Sequence, residues 1–133
     1  MTVRGYSKQK DGATYLETNF RVREFACNDG TDAILIDTTL TSILQMVRQR
    51  FKAAVTITSG YRTKAYNAQV GGAADSKHLT GHAADIVVTG ITPFTVYNYL
   101  NTVMQGWGGL ILYQSKKFVH VDTREGYYRN TVK

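Results

Sequence analysis

Between Ser76 and Asp85 the chain reads Ser-Lys-His-Leu-Thr-Gly-His-Ala-Ala-Asp. It sets an imidazole, His78, seven residues before a carboxylate, Asp85, with small residues between them and the apolar run Ile86-Val87-Val88 directly after. Both side chains are good zinc ligands, and a catalytic zinc takes three protein ligands and leaves a fourth position for water. A third ligand is available late in the chain, His120 in Lys-Phe-Val-His-Val-Asp. Spacing alone leaves two readings open. Either the three share one metal, or His78 caps a loop, Asp85 opens a strand and His120 is a satisfied strand histidine.

The elements that must position these residues can be read from periodicity. Leu40, Ile43, Leu44, Val47 and Phe51 fall at helical spacing and predict a helix over about 38–52, with Asp37 as N-cap and Arg48, Arg50 and Lys52 at the negative end of its dipole. Val55-Thr56-Ile57-Thr58 is a β-branched strand ended by Gly60, and a short helix over about 64–70 follows, broken by Gly71-Gly72. The loop 73–84 carries His78, and the second strand starts at Asp85. Thr92-Pro93 supplies a hydroxyl cap and a proline at the first helical position, so the next helix begins there, with Val96, Leu100, Val103 and Trp107 on one face. Leu110–Tyr113 and Phe118–Thr123 read as a hairpin. On the second of these strands His120 and Asp122 share one face while Val119 and Val121 take the other, so the polar pair can face a cleft. Residues 1–18 are polar and predict an extended or loose arm with local pairing at Thr14-Tyr15-Leu16, Phe20, Val22 and Phe25 anchor a segment across the core, Asn28-Asp29-Gly30 is a turn, and the polar tail 126–133 folds back through Tyr127 and Tyr128. The sum is an α+β fold, a mostly antiparallel sheet of about four strands with helices on one side.

The pattern Ser76-x-His78-x-x-Gly81-x-Ala83-x-Asp85 resembles the signature of the zinc D-alanyl-D-alanine carboxypeptidases and their relatives, a superfamily that includes phage endolysins and the hedgehog signalling domain. Asn19-Phe20, Arg23–Cys27, Thr58–Thr63, Asn67, Val70–Ala73 and Phe118–Asp122 are similar, in order, to the small single-domain branch, so the likeness covers residues 19 to 124 and implies the same fold. It implies one zinc per chain held by His78, Asp85 and His120. It also implies that Arg62 grips substrate, a structural ion pair being the alternative, that Ser76 holds the loop or contacts a carbonyl, and it leaves room for Tyr113 as a donor to a developing oxyanion or simply a strand aromatic. His82 occupies a position the family leaves open and reads as a surface histidine. The general base is where the match departs. Relatives place an acid three positions before the last zinc histidine or a histidine two before, and here those positions hold Lys117 and Phe118. Asp122 is the nearest substitute, either as base or as an orienting partner of His120.

A chain of 133 residues, 43% apolar and 20% charged, can bury one core without staples. Its single cysteine, Cys27, excludes an internal disulfide and reads as a buried free thiol. No apolar run is long enough for a membrane helix, and the first twenty residues lack the apolar core of a signal peptide. The net charge of +6 favours anionic partners, but the basic residues are scattered and form no nucleic-acid motif. These readings combine into a zinc metallopeptidase acting as a monomer on peptidoglycan stem peptides. As written it would stay in the cytoplasm until released to the wall, in the manner of a phage lysin. A non-catalytic zinc domain that binds wall peptide or a protein partner is the second reading, and a basic nucleic-acid binder the third.

Overall fold

The computed structural model describes residues 2–133. Its centre is a five-stranded sheet in the order β5-β6-β8-β7-β9, formed by β5 (Val55–Ser59), β6 (Ala83–Val88), β8 (Phe118–Asp122), β7 (Gly108–Tyr113) and β9 (Tyr127–Val132). All neighbours are antiparallel except β7 and β9, which run parallel. Side chains alternate along each strand, so Ala84, Ile86 and Val88 of β6, Leu110 and Leu112 of β7, and Val119 and Val121 of β8 share the core face. Two helices cover that face: α2 (Thr38–Phe51), through Leu40, Ile43, Leu44 and Val47, and α4 (Pro93–Val103), through Val96 and Leu100. Asp85, His120 and Asp122 therefore point from the opposite face, away from α2 and α4.

The helices start where their caps place them. The Asp37 carboxylate accepts from the Thr39 amide, and the Thr92 hydroxyl accepts from the Thr95 amide ahead of Pro93. A third helix, α3 (Lys64–Gln69), follows β5 and is capped by Thr63. Phe20, Val22 and Phe25 are buried as expected, and Cys27 is a buried free thiol.

Two expectations are corrected. Residues 3–17 are not a loose arm. β1 (Val3–Ser7) pairs antiparallel with β4 (Ala33–Asp37), the short helix α1 (Lys8–Asp11) follows, and β2 (Tyr15–Glu17) pairs with β3 (Phe20–Arg21). The main sheet has five strands rather than about four, because the tail is a strand. Arg129 secures it: its guanidinium donates to the carbonyls of Met104, Trp107 and Gly108, just past the last turn of α4, where a cation suits the helix dipole. β1 and β9 show no local periodicity because their partners are distant in sequence, whereas β2 pairs with the next strand in the chain.

Candidate metal centre

His78 lies on a 3-10 turn (Lys77–Thr80) between α3 and β6. The Ser76 hydroxyl accepts from the His78 amide at 3.2 Å and sets the turn's start. Gly81 ends it with φ 80, and a Cβ there would lie 2.5 Å from the Leu35 carbonyl oxygen. Glycine is therefore required twice over, for its left-handed backbone and for the close approach of β4. The turn leaves His78 only 2% exposed. Its Nδ1 lies 2.7 Å from the Gly60 carbonyl, and its Nε2 lies 3.2 Å from Asp85 Oδ1.

β6 and β8 pair so that Asp85 stands directly opposite His120. His120 Nδ1 lies 3.0 Å from the same Asp85 Oδ1, and His120 Nε2 lies 2.8 Å from Asp122 Oδ2. One ligand atom from each of His78, Asp85 and His120 falls within 4.8 Å of the others, and all three residues are buried. The donor set fits a zinc ion. Zinc bonds of 2.0–2.1 Å in tetrahedral geometry put ligand atoms roughly 3.3 Å apart, and the two His–Asp85 separations, 3.2 and 3.0 Å, are close to that. Each imidazole also has its far nitrogen on an oxygen acceptor, a backbone carbonyl for His78 and a carboxylate for His120, the support expected of metal-binding histidines.

Without an ion the electrostatics favour charge on Asp85 and a proton on His120, which a bound metal would displace. Burial pushes the Asp85 carboxyl up, but hydrogen bonds from His120 and His78 outweigh it and hold the group well below the usual carboxylate range. Burial works against charge on His120 too, yet the hydrogen bonds to Asp122 and Asp85 push it up to about 9. Asp122 resembles Asp85 in this respect: burial raises it, and the bonds from Arg124 and His120 bring it below its ordinary range.

The three residues border a cleft of about 520 Å³, whose walls include Val70, Asp75, Ser76, Tyr113, Phe118 and Tyr128. Tyr113 and Phe118 stack with ring centroids 4.3 Å apart. Burial first, and then the charge of Asp85, raise the Tyr113 phenol, so it stays protonated as a donor at neutral pH. Arg62 lines the same cleft, but the protein already engages its guanidinium. It donates to Ser59 Oγ at 3.0 Å, to Asn67 Oδ1 at 3.1 Å and to Asp85 Oδ2 at 3.3 Å. His82 bonds to the Thr80 hydroxyl and does not border the cleft.

The geometry does not suit Asp122 as general base. Its side chain has no exposed surface, it does not border the cleft, and it sits on the far nitrogen of His120. Arg124 occupies both of its oxygens. Lys117, at the position where relatives carry an acid, has a left-handed backbone (φ 61) and borders an apolar groove with Val87 and Val119 instead. Three participants were missed in the sequence. The Gly60 carbonyl leaves no side-chain signal. Asp75 is, beside Asp85, the carboxylate on the cleft wall among the described residues. Arg124 could have been found, because it continues the alternation His120, Asp122, Arg124.

A family model described as Peptidase M15 matches residues 14–122 of the chain. No curated protein matches.

Proposed function

From the chain's membership of the peptidase M15 family, shown by the match over residues 14–122, we propose that this protein is a zinc peptidase hydrolysing the stem peptides of peptidoglycan. The observation that carries the reading is the convergence of His78 Nε2, Asp85 Oδ1 and His120 Nδ1 at the edge of a peptide-sized cleft. A zinc held by these three residues would supply Lewis-acid polarisation of a carbonyl and activation of water at neutral pH.

The remaining residues have distinct tasks in this reading. Arg62 holds Asp85 Oδ2 and so leaves Oδ1 turned to the histidines. Ser76 shapes the turn that presents His78. Tyr113, protonated, donates to a substrate oxygen. Asp75 is exposed, and no hydrogen bond or ion pair within the described residues engages its side chain, so it is the carboxylate free to accept a proton in the cleft. Asp122 orients His120.

The test is digestion of purified peptidoglycan by zinc-loaded protein, with fragments identified by mass and a chelated control. New amines or released amino acids that disappear on chelation support the reading. Bound zinc with no cleavage of any wall preparation favours the second reading, a zinc domain that only binds wall peptide. The departure at Lys117 is what keeps that alternative specific.

A further inference from the structure

Asp122 is a carboxylate with no exposed surface. It lies beneath β7, where Gly109 makes room for it: a Cβ at that position would lie 2.3 Å from Asp122 Oδ2. A buried charge is tolerated only when it is paired and its lone pairs are filled. Arg124 does both. Its Nε donates to Oδ1 at 2.8 Å, its NH2 donates to Oδ2 at 2.7 Å, and its backbone amide donates to Oδ1 at 3.2 Å. The face of Tyr128 packs 4.8 Å from the guanidinium, and Tyr128 sits on β9, level with Gly109 of β7.

We propose that Arg124, braced by Tyr128, is a positioning residue for the metal: its fork fixes the Asp122 carboxylate so that His120 offers Nδ1, and only Nδ1, toward Asp85 and His78. This rests on the zinc reading given above. Two parallel hydrogen bonds set the plane of a carboxylate, which a single point donor cannot do. With the plane set, Oδ2 remains aimed at His120 Nε2. A neutral imidazole carries one N–H, so an acceptor at Nε2 draws the proton there and leaves the Nδ1 lone pair for a metal. Arg124 thus acts two residues removed from the ion, through Asp122 and then His120. By this route the C-terminal strand, whose Tyr128 also borders the cleft, reaches the metal ligands without supplying one.

The experiment compares wild type, Arg124→Gln, Arg124→Lys and Tyr128→Ala. Zinc affinity is measured by competition with a chromophoric chelator. The His120 tautomer in zinc-loaded protein is read from imidazole ¹⁵N shifts, and folding of the metal-free proteins by circular dichroism. Arg124→Gln should bind zinc about 10–100-fold more weakly, the range for an outer partner of a metal ligand. It should lose the uniform Nε2–H signal of His120 and regain activity at excess zinc. Arg124→Lys keeps the charge that Asp122 needs, and so keeps the test open should Arg124→Gln fail to fold. It too should bind zinc more weakly than wild type, because an ammonium cannot fork. Tyr128→Ala should show a smaller loss in the same direction. Wild-type zinc affinity and tautomer in both Arg124 variants would overturn the proposal while leaving the zinc reading intact. A wild type that takes up no zinc would overturn both.

Discussion

Asp122 Oδ2 lies 2.8 Å from His120 Nε2, on the nitrogen opposite the one that meets Asp85. In the proposed zinc reading, a group in that place acts on the ligand and not on the substrate. Asp122→Asn should therefore weaken zinc binding about 10–100-fold, and added zinc should restore turnover. Zinc titration alongside activity checks this. Full zinc occupancy with turnover reduced by a factor of about 100 to 10,000, the range for a lost general base, would return Asp122 to the catalytic role that its buried position argues against.

Arg62 is tied to Ser59, Asn67 and Asp85 at once. Arg62→Ala strands the second oxygen of a metal ligand and empties a space beside Gly72. It should lower zinc affinity and also the melting temperature, and Arg62→Lys should recover little, since one ammonium cannot reach three acceptors in a planar fork. A variant with wild-type zinc affinity and stability that fails only in KM would instead give Arg62 to the substrate.

Asp75 stands on the cleft wall with its side chain exposed. If it accepts the proton, Asp75→Asn should leave zinc content and melting temperature unchanged and reduce kcat by a factor on the order of 100 or more. Unchanged kcat would pass the role to the substrate or to solvent.

The pairing of β1 with β4 gives a pH prediction separate from the metal. Asp32 accepts from the Ser7 hydroxyl and the Gln9 amide, and these bonds, the Ser7 one first, hold its carboxyl below the ordinary value of 3.8. A folded pKa lower than the unfolded one means that the stabilisation is present above pH 3.8 and lost as the pH falls through the folded value. The Gln9 amide resonance should therefore titrate with a midpoint below 3.8, and Asp32→Asn should abolish that transition. A midpoint at or above the ordinary value would mean that Ser7 and Gln9 do not hold Asp32 in solution.

Much of the site was legible because it is local or periodic. His78 and Asp85 belong to one short motif, and the alternation of β8 places His120 and Asp122 on one face. The helix caps at Asp37 and Thr92 were legible for the same reason: a cap is a relation between residues two or three apart. What escaped depends on non-local pairing. Val3–Ser7 is a strand only because Ala33–Asp37 lies beside it, and β9 is one only because β7 offers an edge and Arg129 finds the end of α4. For Asp122 the sequence left base and orienting partner both open, because it gives the face but not which nitrogen of His120 the carboxylate meets. For Arg62 the sequence left substrate grip and ion pair both open, because it does not show that Ser59, Asn67 and Asp85 surround the guanidinium.

The pairing of Asp85 with His120 across β6 and β8 also bears on how the molecule assembles. The ligands His78 and His120 are far apart in the chain, so bringing them together carries the loop-closure entropy of a non-local contact. A slip of β8 by one residue would turn His120 and Asp122 into the core and Val119 and Val121 into the cleft. Chains still searching for that register can offer an ion two ligands at most. Zinc arriving late in folding would then be retained by molecules already in register and released by the rest, so metal retention after refolding counts the correctly paired fraction.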